Sequence, residues 1–246
     1  MLRLALLLAL AGCAPRAVDP PASADAGALL VFTRTEGFRH ASIETGVEAF
    51  RELARARDLT VEHTEDPAVF SPARLAGFDA VVFLNTTGDV LDAVEESALR
   101  VYVEGGGGWL GVHSASDTEY DWPWYGALVG AYFESHPATQ EATLRVADAD
   151  HPATRALPAT WVRTDEWYNF RAVPRPTVRV LLRLDEGSYE GGSMGDDHPA
   201  AWAHAVGDGR AVYTALGHTD ESYAEPLFLS HLDGALCWAA RLDCAP

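Results

Sequence analysis

The sequence predicts one α/β domain: a doubly wound, mostly parallel sheet with helices on both faces and an antiparallel extension in its C-terminal half. Three observations carry this. From Ala28 to Glu104, apolar runs of strand length alternate with segments of helical period, the order that parallel strands joined by crossover helices require. Those runs are continuous rather than alternating, as in strands buried on both faces. Finally, 48% hydrophobic content over 246 residues is ample for one large core, and neither an internal repeat nor a second linker divides it.

The elements follow in order. Ala28 to Thr33 (ALLVFT) is the first buried strand. Ser42 stands where a helix N-cap belongs, and Ile43, Val47, Phe50 and Ala54 follow at helical spacings. Leu59 to His63 is a second short strand, and Ser71-Pro72 opens a helical turn with proline where no amide proton is needed. Phe78 to Leu84 (FDAVVFL) is a strand, Leu91 to Glu104 a helix, and Trp109 to His113 (WLGVH) the next strand. The Gly105–Gly108 run follows a helix and opens a strand. A dinucleotide fingerprint has the opposite order, so these glycines read as a helix C-cap with close backbone packing. Ala142 to Val146 and Thr177 to Leu184 alternate like strands. Ala200 to Ala205 and Arg210 to Leu216 flank the turn Gly207-Asp208-Gly209, and Glu225 to Ala240 closes the chain as a helix.

Composition narrows the function. All 18 basic residues are Arg; with 36 acidic residues the formal net charge is −18. Without lysine there is no phosphate-loop NTPase and no Schiff-base or pyridoxal-phosphate enzyme. A pI near 4.7 excludes nucleic acid as a partner, because phosphate contacts need a basic face.

Residues 1–12 read as a lipoprotein signal peptide. Arg3 supplies the positive start, and Leu4 to Ala11 is an apolar run too short to span a bilayer. It ends in Leu10-Ala11-Gly12-Cys13, which looks like a bacterial lipobox with Cys13 as the lipidated first residue of the mature chain. Residues 13–27, rich in Pro, Ala and Asp, then form a lipidated tether that cannot bury enough surface to fold. The expected arrangement is a domain over 28–242 held to a membrane in the cell envelope, facing the periplasm or exterior. Cys237 and Cys244 are seven residues apart. In one continuous helix their Cα atoms would be about 10.5 Å apart, too far for a disulfide. A bridge therefore requires the helix to end near Ala240; otherwise both are inert thiols.

Several segments resemble a known family. Gly37-Phe38-Arg39-His40, the stretch GGGGWLGVHSASDTE from Gly105 to Glu119, Trp122-Pro123-Trp124-Tyr125-Gly126, Asp165-Glu166-Trp167-Tyr168-Asn169 and Leu216-Gly217-His218-Thr219 look like the trehalose-utilisation (ThuA-like) family. The resemblance covers nearly all of Ala28 to Arg241. It implies a fold similar to class I glutamine amidotransferases and a role in the utilisation of trehalose or keto-sugars. In those amidotransferases a sharp turn at the end of a central strand presents a nucleophilic cysteine. The matching stretch here is Gly111-Val112-His113-Ser114-Ala115. Histidine replaces cysteine, which removes glutaminase chemistry, while His218-Thr219-Asp220 echoes the partner histidine and acid.

His113 and His218 are expected at carboxyl ends of sheet strands, where open α/β folds bind ligands, and His40 follows the first strand at the same edge. Three imidazoles there suit a divalent ion such as zinc, with His136, Asp117, Glu119 or Glu166 as further ligands. Neutral histidines bonding sugar hydroxyls are the alternative. His113, His218, Asp220, Asp117 and Glu119 form the candidate catalytic set. Trp122, Trp124, Tyr125, Trp167 and Tyr168 offer faces for a sugar ring and Glu166 a hydroxyl acceptor; the alternative is that Trp122, Trp124 and Tyr125 cap the sheet as core. Two functions remain: a hydrolase, lyase or isomerase acting on sugars, and a non-catalytic carbohydrate-binding surface lipoprotein.

Overall fold

The computed structural model describes residues 27–174 and 178–244. The signal-peptide run, Cys13 and Thr177 lie outside the described residues, as does the tether apart from Gly27. No helix among the described residues is long and apolar enough to cross a membrane.

The first half runs β1 (Ala28–Phe32), α1 (Ile43–Arg55), β2 (Thr60–Thr64), α2 (Pro72–Leu75), β3 (Ala80–Leu84), α3 (Ala93–Glu104), β4 (Gly108–Val112) and α4 (Pro123–Val129). The second half runs β5 (Phe133–Ser135), β6 (Gln140–Val146), β7 (Thr160–Asp165), β8 (Asn169–Phe170), β9 (Arg179–Asp185), β10 (His198–Val206), β11 (Gly209–Thr214) and α5 (Pro226–Ala239). Nine strands form one sheet in the order β2-β1-β3-β4-β11-β10-β9-β6-β7. The pairs from β2 through to β11 are parallel, and those from β11 to β7 antiparallel. The doubly wound sheet and its antiparallel extension are both present.

Alternate residues of the central strands feed two cores. Leu29, Val31, Val82 and Leu84 pack with Ile43, Val47 and Phe50 of α1 and with Phe228, Leu232 and Leu236 of α5. Leu30, Phe32, Val81 and Phe83 face Leu99 and Val103 of α3 and Leu128 and Val129 of α4. Strands buried on both faces explain the unbroken apolar runs.

Local chemistry sets the element ends. Asp92 caps α3 by accepting from the Val94 and Glu95 amides, while Glu95 returns to the Asp92 amide, so the helix begins after Leu91 rather than at it. Ser42 precedes α1, but its hydroxyl leaves the helix end and donates to the His218 carbonyl at 2.8 Å. Gly105 ends α3, and at Gly108 a Cβ would lie 2.5 Å from the Ala239 carbonyl oxygen, which is the close packing expected of that glycine run. Helix α5 stops at Ala239, Arg241 turns back with φ +58°, and Cys237 bonds to Cys244 across a Cα separation of 5.6 Å.

Candidate functional site

The site forms where strands of the parallel half end. His113 is the first residue past β4 and adopts φ +50°, a left-handed conformation that non-glycine residues seldom take. This turn aims a fully buried imidazole across the end of the sheet. Its Nδ1 lies 2.8 Å from the Ala215 carbonyl. A carbonyl only accepts, so Nδ1 carries the proton and Nε2 presents its lone pair to the site. The Tyr168 ring covers the imidazole at 4.2 Å between centroids.

His218 follows β11 and Gly217, whose φ is +108°. Its Nδ1 stands 3.1 Å from His113 Nε2 and 3.2 Å from Glu166 Oε2. Glu166 leaves the end of β7; Oε2 is 3.5 Å from His113 Nε2, and Oε1 is 3.0 Å from His136 Nδ1. His40, 4% exposed, sits on the loop after β1, with ring centroids 4.8 Å from His113 and 5.1 Å from His218. One donor atom from each of His40, His113, Glu166 and His218 lies within 4.8 Å of the others. A tetrahedral zinc centre with bonds of about 2.0–2.1 Å separates its ligand atoms by about 3.3–3.4 Å. The distances among His113, His218 and Glu166 match that spacing.

Electrostatics set a neutral His40 beside an ionised Glu166 that favours the proton on His218. Burial, reinforced by His113 and His218, pushes the His40 imidazole down to about 3. Burial alone would raise the Glu166 carboxyl, but the neighbouring His113 and His218 imidazoles overcome it and hold the group below the usual carboxylate range. His218 is the counterpart: burial opposes its protonation, and the Glu166 hydrogen bond and charge outweigh burial and raise it.

Beneath these groups, Asp165 ties two of the segments together. Its fully buried carboxylate accepts from the backbone amides of Glu166 (2.9 Å), Gly217 (2.9 Å) and His218 (3.1 Å), and Arg163 stands 3.2 Å away as its counter-ion.

The other predicted residues are placed differently. Asp220, expected to orient His218, begins a turn over Asp220–Ala224 that Thr219 caps, and its carboxylate accepts from the Thr45 hydroxyl at 2.6 Å. The carboxylate on His218 is Glu166 instead. Asp117 accepts from the Tyr120 hydroxyl at 2.6 Å. Glu119 is buried, accepts from the Val90 and Leu91 amides, and is pushed up to about 7 chiefly by that burial; it braces the loop before α3 rather than joining the histidines. Trp124 donates to Glu104 on α3, Tyr125 donates to the Ala115 carbonyl from within the core, and Trp122 packs on both. These three therefore cover the α3–α4 face of the sheet as part of its core. Trp167 is also buried and donates to the Gln140 carbonyl. Tyr168 does reach the site, on His113. His136 touches Glu166 from the outside and is not one of the four convergent residues.

An open α/β sheet with a sharp turn at the end of β4, histidine at that turn and a His–His–His–Glu cluster beside it, defines the class of this protein. The chain belongs to the ThuA family, described as trehalose utilisation, whose model matches residues 28–239. A ThuA-like protein from Bacteroides uniformis has a TM-score of 0.75 at 23% identity, over 93% of this chain and 95% of that one. A second, from Parabacteroides merdae, has a TM-score of 0.74 at 20% identity, over 87% and 90%. A β-galactosidase from Bacillus circulans shares the fold at 14% identity and a TM-score of 0.56, over 88% of this chain but 31% of its own. No functionally curated protein matches the sequence.

Proposed function

We propose that this ThuA-family chain is a metal-dependent enzyme of carbohydrate utilisation, with a divalent ion such as zinc held by His40, His113, His218 and Glu166. The observation that carries the reading is the convergence of one donor atom from each of those four side chains within 4.8 Å. Three imidazoles and a carboxylate suit zinc, which can widen its coordination to admit substrate. A bound ion would polarise a sugar carbonyl or activate water for hydrolysis, elimination or isomerisation. Tyr168 and the surrounding burial keep His113 dry, and the Ala215 carbonyl fixes its tautomer with Nε2 free to ligate. His136, exposed and 3.0 Å from Glu166 Oε1, is the group positioned to carry protons between that carboxylate and solvent.

The test is elemental analysis of the purified protein after zinc loading, followed by turnover assays on disaccharides and keto-sugars. The expected result is one ion per chain in wild type and in Asp220→Asn, with most of it lost in His113→Ala, His218→Ala and Glu166→Gln. Loss of a group that only hydrogen-bonds to a ligand weakens metal sites by roughly 10–100-fold, and loss of a ligand exceeds that. Wild type that takes up no ion overturns the metal reading. An ion without turnover favours the non-catalytic carbohydrate-binding lipoprotein. The lipobox-like run ending at Cys13 supports placement on an envelope membrane; an unacylated mature N-terminus by mass spectrometry would remove that anchor.

A further inference from the structure

Between the loop after β1 and the turn after β11 lies a cavity of about 270 Å³, walled in part by Phe38, His40, His218, Thr219, Asp220 and Glu221. Because His40 and His218 are two of its walls, it opens on the histidine cluster. Phe38 is 67% exposed on its rim, yet its position is fixed. Its ring meets His40 edge to face at 4.9 Å, its carbonyl accepts from the Thr87 hydroxyl at 2.9 Å, and the Gly37 amide donates to that same hydroxyl oxygen. Asp220 is held from the opposite wall by Thr45. An aromatic face, fixed in place and left open beside two carboxylates, is the chemistry that holds a sugar ring. The ring face covers C–H bonds, and the carboxylates accept from hydroxyl groups.

The charge of the walls narrows the ligand further. Among the described residues no Arg lines the cavity, whereas Asp220 and Glu221 do. The nearest arginine on the loop, Arg39, faces away to Glu44 at 2.8 Å and Glu65 at 2.7 Å. A phosphate or carboxylate set against Asp220 and Glu221 would meet like charge with no arginine to offset it. The volume lies just under the roughly 300–1,000 Å³ of pockets for drug-sized ligands, which suits one ring with the rest of a disaccharide projecting outward.

We infer that this cavity is the substrate subsite for a single uncharged, unphosphorylated sugar ring. The ring stacks on Phe38, its hydroxyls bond to Asp220 and Glu221, and one edge is presented to His40 and His218. The inference rests on the proposed function for what happens at that edge, and the two fail separately.

Saturation-transfer NMR on the zinc-loaded full chain tests it, with trehalose and glucose 6-phosphate as probes and metal content measured on the same samples. Wild type is expected to transfer saturation to trehalose and not to glucose 6-phosphate. Phe38→Ala should weaken trehalose binding by about three- to tenfold with metal content unchanged, and Phe38→Tyr should restore it. The double variant Asp220→Asn, Glu221→Gln should admit glucose 6-phosphate. Absence of a trehalose signal, equal signals from both probes, or a Phe38→Ala variant equal to wild type would each overturn the subsite. Sugar binding that depends on Phe38 in a protein that takes up no metal would preserve the subsite and remove the metal centre.

Discussion

Single residues decide whether the site exists, and Asp165 is the least visible of them. It makes no contact with a reacting group, yet one buried carboxylate binds the amides that carry Glu166 and His218. Asp165→Asn keeps one acceptor oxygen but places an amide where three N–H donors converge. The expected result is a zinc affinity about 10–100-fold weaker, measured by chelator competition, with a native circular dichroism spectrum. Asp117→Asn, aimed at a tyrosine hydroxyl, should leave zinc affinity unchanged. The histidines were legible in the sequence because each follows an apolar strand, and strand ends of an open α/β sheet face one crevice. Asp165 was not: it belongs to a strand with two charged residues among its three inward positions. Asp220 misled for the opposite reason, since a His-x-Asp spacing suggests contact, whereas the Thr219 cap turns the intervening backbone into a new helical turn.

At the scale of elements, legibility followed the purity of the apolar pattern. β1, β3 and β4 were plain, because every residue of β3 and β4 is buried. β7 was missed because its buried residues alternate as Trp161, Arg163 and Asp165, and two charges erase the period-two signal. β5 and β8, with three and two residues, are too short to carry a pattern. The last helix was legible, but not how closely it packs. At Gly234 a Cβ would fall 2.0 Å from the Pro152 carbonyl oxygen, a backbone atom that cannot rotate aside. Gly234→Ala should therefore destabilise the fold by about 1–3 kcal/mol despite the better helix propensity of alanine. Urea denaturation measures this, and a variant as stable as wild type would show that the loop gives way freely.

For the molecule as a whole, acid should be the weak direction. Burial holds His151 and His231 neutral and pushes both down to about 4, and His231 Nδ1 is committed to the Ala153 carbonyl. In the unfolded chain these rings take up protons below about pH 6.5. Their contribution to stability is thus complete above that pH and is lost as pH falls to about 4. From His231 alone the loss reaches about 3 kcal/mol. Urea midpoints between pH 7 and 4 should fall accordingly, and His231→Leu should flatten the slope; an unchanged slope would mean that other groups govern acid unfolding.

The strand order carries one more consequence, for the history of the chain rather than its final shape. β11, near the end of the sequence, fills the middle of the sheet between β4 and β10. Until residues 209–214 join the sheet, β4 is an open edge of residues buried in the finished fold, the kind of edge that invites pairing with the wrong neighbour. The N-terminal block, β2-β1-β3-β4, must wait for a strand from the other block, one that also pairs with β10 as a hairpin. The β4 edge stays exposed until then, and docking of that hairpin both closes the sheet and brings His218 to His113. Joining two blocks through contacts so distant in sequence is slow, so the crevice is completed only when folding itself is.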